Sequence, residues 1–212
     1  MQPHTQAFGL LALLVAVLLT GCAEQRERVV LTGQEPFREG DLVLRCGYGM
    51  ESKAVTEASQ SLYSHIGMLH YDPETTLWMV VHAVPDEAER GEPEWLKCEP
   101  LADFFSVRRA VSGAWMRVDC PDSVAGAAVR YGLQKVEEKV EFDGDYLLSD
   151  TTRLYCTELV WQAYLHQGID LSQKRRHDVP LFFSKDGECI FPIDIEESDK
   201  ILYVQPLKTQ QQ

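Results

Sequence analysis

Two apolar runs that flank a short polar segment constrain the fold of this chain more than any other feature. Residues 64–71 and 77–84 are strand-like in length and pattern. The intervening residues, 72–76, contain aspartate, proline, glutamate and two threonines, a composition typical of a turn. The sequence therefore predicts an antiparallel β-hairpin.

The hairpin carries two histidines whose relative position follows from the turn. With residues 73–76 as the turn, His65 faces Val84 and His82 faces Gly67. Residues 82 and 84 share a face, so His65 and His82 become diagonal neighbours within reach of an imidazole–imidazole hydrogen bond. Gly67 leaves space for the ring opposite it, whereas a shift of one residue in register would move His82 to the other face.

Hydrophobic periodicity predicts the other elements. Strands are predicted at residues 42–46, 104–111 and 200–204, and helices within 47–63, at 124–136 and at 156–166. In the first helix Ala54, Val55 and Ala58 share a face. In the last, the apolar face consists of Leu159, Val160, Ala163 and Tyr164, and Gly168 is placed to end the helix. This order predicts an α+β fold with an antiparallel sheet packed against helices.

The N-terminal residues predict a lipoprotein signal. Residues 8–20 form an uncharged apolar run that is short for a membrane span but typical of a signal peptide. Residues 19–22 read Leu-Thr-Gly-Cys and resemble the lipobox, at which bacterial lipoproteins are cleaved and lipidated. The residues before the apolar run contain no Lys or Arg, and a buried apolar helix or a signal cut elsewhere is the alternative.

This interpretation divides the chain into a signal peptide (1–21), a lipid-anchored tether (22–38) and a folded domain (39–208). Cys22 would carry the lipid. Ala23 rather than aspartate follows it, which by the sorting pattern of such lipoproteins implies the outer membrane and a domain facing the periplasm.

Charge argues against nucleic acid as a partner. The chain contains 20 Lys and Arg against 33 Asp and Glu, a net charge of −13. Such an acidic surface repels phosphate backbones and anionic lipid headgroups.

Five cysteines remain when Cys22 is set aside: Cys46, Cys98, Cys120, Cys156 and Cys189. In an oxidising compartment four of them can pair in three ways, which leaves one thiol free. The sequence does not fix any pairing. It contains no C-x-x-C, so neither a zinc ribbon nor a thioredoxin motif is indicated.

Cys156 is the candidate nucleophile. It falls in the first turn of a predicted helix, where unpaired backbone N–H groups favour a thiolate and can hold an oxyanion. A buried structural cysteine is the alternative. His65 is the candidate base, and His82 the polar group that orients it. A metal site formed by His65, His82 and Cys156 is a further alternative, but it lacks a fourth ligand at a recognisable spacing.

Four segments, at residues 40–43, 63–68, 81–85 and 155–160, together resemble the YaeF/YiiX family of circularly permuted papain-like enzymes in the NlpC/p60 superfamily. The resemblance extends from about residue 40 to 206, with Phe142-Asp143 and Ile190-Phe191-Pro192 included. In this family the histidine strand precedes the cysteine helix, as it does here.

The resemblance implies Cys156 as nucleophile, His65 as base and His82 as third member. It also implies hydrolysis of amide bonds, with cell-wall peptides as the suspected substrate and no cofactor. Related permuted members transfer acyl groups between lipids, so a lipid acyltransferase or lipase is one alternative. A non-catalytic envelope-binding lipoprotein is another.

Four further residues are candidates for the substrate pocket: Tyr63, Ser64, Tyr155 and Glu158. For the two tyrosines, packing in the core is the alternative. For Glu158, the alternative is a first-turn carboxylate that supports the helix dipole.

Overall fold

The computed structural model describes residues 27–85, 91–180 and 186–211. The predicted signal peptide and its lipidation site, Cys22, lie outside these residues. Within the described ranges no helix has the length and apolarity that a membrane crossing requires.

A six-stranded antiparallel sheet forms the centre of the fold. Its strands, in spatial order, are β11 (Ile201–Pro206), β6 (Ser112–Val118), β2 (Leu42–Cys46), β3 (His65–Asp72), β4 (Leu77–His82) and β5 (Lys97–Pro100). The predicted positions of β2, β3, β4 and β11 are confirmed to within two residues at each end.

The helices of the described residues are α1 (Met50–Ser59), α2 (Leu101–Phe104), α3 (Asp122–Glu137), α4 (Cys156–Leu165) and α5 (Pro192–Glu196). Helices α3 and α4 pack on each other and on β3 and β4. The prediction of an α+β fold with an antiparallel sheet against helices is confirmed. On α1, Val55 is buried but Ala58 is exposed, so the predicted apolar face is narrower than expected.

The strand predicted at residues 104–111 is wrong. Phe104 ends α2, and the chain then turns, with the N–H groups of Arg109 and Ala110 donating to the Ser106 carbonyl. Phe104, Phe105 and Ala110 are buried against the sheet. The apolar residues of this segment therefore belong to a turn that covers the sheet, and the strand β6 begins only at Ser112.

Helix α4 follows its sequence pattern closely. Its predicted apolar residues, Leu159, Val160, Ala163 and Tyr164, are fully buried. Gly168 has a φ of 83°, a left-handed conformation that suits glycine and stops the helix as predicted. The hydroxyl of Tyr164 donates to the Gly40 carbonyl at 2.6 Å, which fastens α4 to the start of β2.

Apolar clusters cover both faces of the sheet. One contains Ile66 and Met68 together with α3 and α4, and the other contains Val80 and Phe104. Helix α3 approaches the first face closely at Gly132, where an added Cβ would lie 2.7 Å from Met68 Cε.

Three small pairs of strands surround the main sheet. They are β1 (Glu27–Val30) with β12 (Lys208–Gln211), β7 (Glu141–Phe142) with β8 (Arg153–Leu154), and β9 (His177–Asp178) with β10 (Glu188–Cys189). Strand β1 falls within the predicted tether, and Val29, Leu31 and Phe37 join the second apolar cluster. The apolar side chains of this segment therefore pack against the second face of the sheet.

Candidate active site

A cleft of about 670 Å³ lies at the end of the sheet where β2 and β4 stop and β3 begins. His65 and Cys156 both line it. The start of α1 forms one wall and the turn after α2, with Arg108 and Arg109, contributes another part of the lining.

The two histidines have the predicted arrangement. Pairing of Met68 with Val81 and of Asp72 with Leu77 confirms the predicted register of the hairpin. His65 Nε2 and His82 Nδ1 lie 2.9 Å apart in a buried hydrogen bond. The ring of Phe104 packs on both imidazoles, with centroid distances of 5.6 Å to His65 and 5.2 Å to His82.

The hydrogen-bonded chain continues to a carboxylate that the sequence did not reveal. His82 Nε2 lies 3.1 Å from Glu99 Oε1. Arg109 Nη1 donates to both oxygens of Glu99, at 2.9 and 2.7 Å, and Lys97 Nζ lies 3.2 Å from Oε2. The connection from β4 to β5 is too long for a turn rule to set their register, so sequence reasoning could not place Glu99 beside His82.

Burial lowers the pKa of both histidines. The pKa of His82 falls to about 4, because burial and the charges of Arg45 and Lys97 outweigh the raising effect of Glu99. The pKa of His65 also lies well below its usual value, through burial and the charge of Arg45. Both imidazoles are therefore neutral at neutral pH.

Glu99 remains ionised. Burial by itself raises its pKa, but the hydrogen bonds from His82 and Arg109 and the charge of Lys97 outweigh burial and hold the pKa well below its usual value.

Cys156 is the first residue of α4, with Tyr155 as N-cap. Its sulfur lies 3.7 Å from Thr157 Oγ1. Burial raises the pKa of the thiol to about 11, although hydrogen bonds from Thr157 and from the Ile66 backbone lower it. The first-turn N–H of Thr157 lowers the pKa of the thiol, as predicted for a helix start, but the loss of solvation is the larger effect.

The nucleophile and base candidates reach the cleft from different faces of the sheet. Helix α4 packs on the face that carries Ile66, whereas His65 stacks on Phe104 of the other face. The Ile66 backbone that contacts the sulfur belongs to the residue directly after His65. In the described residues the hydrogen bonds of the sulfur run to Thr157 and Ile66 rather than to the imidazole. The cleft is thus lined by a neutral thiol and a neutral imidazole.

Of the four candidate pocket residues, Ser64 lines the cleft. Its hydroxyl lies 2.7 Å from Ser52 Oγ and accepts from the Gly47 N–H at 3.3 Å. Tyr63 and Tyr155 are buried in the main core instead. The hydroxyl of Tyr155 accepts a hydrogen bond from the Ile190 N–H at 2.9 Å, so it ties two segments together and does not face the cleft.

Glu158 lies outside the lining of the cleft, so it is not placed to contact a substrate there. It is fully buried, and its Oε1 accepts from Gln162 Nε2 at 2.9 Å while Oε2 has no partner. Burial, followed by the nearby charge of Asp143, raises its pKa to about 8. It lies in the first turn of α4 as predicted, where a hydrogen bond from the Tyr155 backbone partly offsets the effect of burial on its pKa.

The five cysteines within the described ranges are all free thiols. In the described part of the chain no disulfide joins Cys46, Cys98, Cys120 and Cys189. Each has a raised pKa, caused first by burial.

Fold and cleft together define an α+β protein with a six-stranded antiparallel sheet and a buried Cys–His site. Among solved structures the fold is similar to that of YiiX from Escherichia coli O157:H7, a metalloprotein of the DUF1105 group. The TM-score is 0.63 at 17% sequence identity, over 82% of this chain and 97% of that one. No protein-family model and no curated protein sequence matches the chain. The similarity shows a YiiX-like fold.

The candidate site does not have the character of a metal centre. In the described part of the chain, no three His, Cys, Asp or Glu side chains are grouped to hold an ion. Both ring nitrogens of His82 are already engaged, one with His65 and the other with Glu99. A set of His65, His82 and Cys156 as ligands would have to break this chain, so these three residues, as they are arranged, do not fit a metal ion.

Proposed function

We propose that this protein is a thiol hydrolase that cleaves amide bonds through an acyl-enzyme. Cys156 is the nucleophile, His65 the general base and His82 the residue that orients His65. The observation that carries the proposal is that Cys156, at the start of α4, lines the same cleft as a histidine held by a second, fully buried histidine.

The charge states of the site define the order of events. Because the thiol has a pKa of about 11 and His65 is neutral, the proton leaves the sulfur as it attacks the carbonyl carbon. His65 takes that proton and then gives it to the leaving amine, which leaves a thioester on Cys156. Water, deprotonated by His65, hydrolyses the thioester and restores the thiol. Backbone N–H groups in the first turn of α4 can hold the oxyanion.

The cleft favours a small amide or peptide as substrate. It combines the side chains of Arg108 and Glu51 with the apolar surface of Val84. Fragments of cell-wall peptides fit this mixture of charge and apolar contact. The reaction as written requires no cofactor, and nucleic acid is not a partner in it.

We also propose that the chain is a lipoprotein anchored through Cys22 to the outer membrane and facing the periplasm. The apolar run at residues 8–20 and the Leu-Thr-Gly-Cys segment support this location.

The decisive experiment incubates the protein with a panel of peptide amides and identifies covalent adducts by mass spectrometry. We expect turnover and an acyl adduct on Cys156, and loss of both in Cys156→Ala. Cys120→Ala is the matched control, because Cys120 lies outside the cleft lining. Full turnover by Cys156→Ala, or an adduct confined to another thiol, would refute the proposal.

Acyl transfer between lipids is the second candidate function. Met50 and Tyr48 line the cleft and are 81% and 44% exposed, so they offer apolar surface to an acyl chain. A panel of lipid esters with acceptor alcohols, run beside the peptide amides, separates the two activities. If neither panel gives turnover or an adduct, the remaining hypothesis is a non-catalytic envelope lipoprotein.

A further inference from the structure

The two histidines of the site are the inner part of a longer hydrogen-bonded chain. It runs from His65 through His82 to Glu99, and Glu99 is in turn bound by Arg109 and Lys97. The side chain of His82 is fully buried, and that of Glu99 is 12% exposed. This partly buried carboxylate binds two cations and one imidazole, so it has a defined set of donors around it.

We infer that Glu99 is a positioning residue that fixes the tautomers of His82 and His65, so that Nδ1 of His65 is the atom that receives the thiol proton. The inference rests on the proposed function and adds to it a residue that acts through the two histidines.

The first step concerns Glu99 itself. Arg109 donates to both of its oxygens, and Lys97 lies beside Oε2. These cations keep the carboxylate ionised, and an ionised carboxylate can only accept hydrogen bonds. His82 Nε2, 3.1 Å from Oε1, must therefore carry a hydrogen.

The second step concerns the two imidazoles, because the position of the hydrogen on His82 determines that on His65. A neutral imidazole has one N–H and one acceptor nitrogen. Since His82 carries its hydrogen on Nε2, its Nδ1 is an acceptor, and His65 Nε2 must donate to it across 2.9 Å. The hydrogen of His65 is thereby placed on Nε2. Its Nδ1 has a lone pair that no described residue occupies.

The third step concerns charge during the reaction. When His65 takes the thiol proton it becomes a cation, close to Arg45 of β2 and Lys97 of β5, which oppose it. His82 of β4 separates it from Glu99, the anion of the chain, while Arg109 from the turn after α2 partly neutralises that anion. Glu99 therefore offsets the cations around the imidazolium as well as fixing its tautomer.

The inference predicts specific imidazole tautomers and a loss of kcat in Glu99→Gln. Oε2 faces two cations, Arg109 and Lys97, whereas Oε1 faces Arg109 and His82. Only His82 can change from donor to acceptor, so the amide oxygen of glutamine belongs at the Oε2 position and its NH₂ group at the Oε1 position, beside His82. That NH₂ donates to His82 Nε2, so both imidazoles adopt the opposite tautomer and His65 Nδ1 becomes protonated. A base with the wrong tautomer loses about 100-fold or more in kcat. KM is expected to change less than about twofold, because Glu99 does not line the cleft.

The experiment measures the ¹⁵N chemical shifts of the histidine rings in the whole protein at neutral pH, together with kcat and KM on the best peptide amide. In the wild type we expect bare Nδ1 and protonated Nε2 on both rings. We expect the reverse in Glu99→Gln, with the loss of kcat given above, and the wild-type pattern in Glu99→Asp.

Glu39→Gln is the matched control. Glu39 Oε1 lies 2.8 Å from His70 Nδ1, a carboxylate–histidine pair away from the cleft lining, so this variant alters His70 and leaves turnover unchanged.

The outcomes separate this inference from the proposed function. A protonated Nδ1 on His65 in the wild type overturns the inference, even if Glu99→Gln does not fold. Unchanged tautomers in Glu99→Gln, or reversed tautomers with unchanged kcat, also overturn it. The expected wild-type tautomers without acylation of Cys156 would instead refute the thiol hydrolase and leave the tautomer assignment intact.

Discussion

Gly67 lies directly against His82 on the neighbouring strand. A Cβ atom added to Gly67 would be 3.1 Å from the Cβ of His82 and 2.5 Å from Cγ1 of Val80. The close fit of these two strands holds the His82 ring in the position where it meets both His65 and Glu99.

Gly67→Ala is therefore expected to destabilise the protein and to disturb the site. The added methyl group must displace Val80 and His82, at a cost of about 1–3 kcal/mol in the free energy of unfolding. Amide hydrolysis should fall as His82 moves. Urea denaturation and kcat measure the two effects.

Gly126→Ala is the control for this prediction. The nearest atom to its added Cβ is Arg130 Nη1 at 3.4 Å, the end of a flexible side chain. Within helix α3 alanine should stabilise by about 0.5–1 kcal/mol. A Gly67→Ala protein as stable as the wild type would contradict the close packing described here.

The reactivity of Cys156 should depend steeply on pH. With a thiol pKa of about 11, the thiolate fraction and the rate of alkylation by iodoacetamide rise about tenfold per pH unit from neutrality up to pH 10. Mass spectrometry of the Cys156 peptide gives the rate at each pH. The same peptide in urea-unfolded protein should level off near the ordinary thiol pKa of about 8.5. A plateau below pH 8 in the folded protein would instead indicate a resting thiolate.

Glu158 should make stability fall as pH rises. The folded protein keeps this proton up to about pH 8, whereas the unfolded chain releases it from about pH 4.5 upward. The free energy of unfolding therefore declines across that interval. Glu158→Gln imitates the protonated acid and should be more stable than the wild type by about 1–3 kcal/mol at pH 8, but not at pH 4.5.

Urea denaturation of both proteins at the two pH values tests this prediction. The difference in the free energy of unfolding between the two proteins reports on Glu158, because both proteins contain the same histidines. The lowered pKa values of His65 and His82 make stability change in the opposite direction below pH 6.5. An equal difference at both pH values would show that Glu158 is ionised in the folded protein.

Asp41 should matter for stability rather than for chemistry. Its carboxylate receives Arg117 Nε and Nη2 at 2.8 and 2.7 Å and also the Arg38 N–H at 2.7 Å. Asp41→Ala removes the acceptor from these donors, of which Arg117 keeps a hydrogen bond to the Pro36 carbonyl, and should cost about 2–4 kcal/mol. The exposed pair of Lys53 and Glu57, 3.8 Å apart, is the control, and Glu57→Ala should leave stability nearly unchanged. Thermal unfolding of both variants gives the comparison.

The proposed lipidation of Cys22 predicts membrane attachment of the full chain. In bacteria fed a labelled fatty acid, the wild type should carry the label and sediment with the outer membrane. Cys22→Ser should lose both, and Cys46→Ser should keep both. Label that persists in Cys22→Ser would exclude this cysteine as the anchor.

The sequence determined the hairpin and the helix that bear the site. The turn between β3 and β4 is short, so it sets the register, and the register brings His65 and His82 to hydrogen-bonding distance. The apolar spacing along α4 likewise predicts which of its sides is buried and places Cys156 at its start. These features depend on residues close together in the chain.

Only the tertiary structure decided what surrounds these groups. Glu99 meets His82 across a long connection, so no local rule sets its position. The high pKa of Cys156 and the uncharged state of Glu158 result from burial by distant segments, which outweighs the local effect of a helix N-terminus. Strand β1 forms because the C-terminal strand β12 lies beside it. The spacing of residues along the chain determines which side of a helix is apolar and how a short turn sets the register of a hairpin. The solvation of a side chain and the pairing of distant segments depend instead on how the whole chain packs.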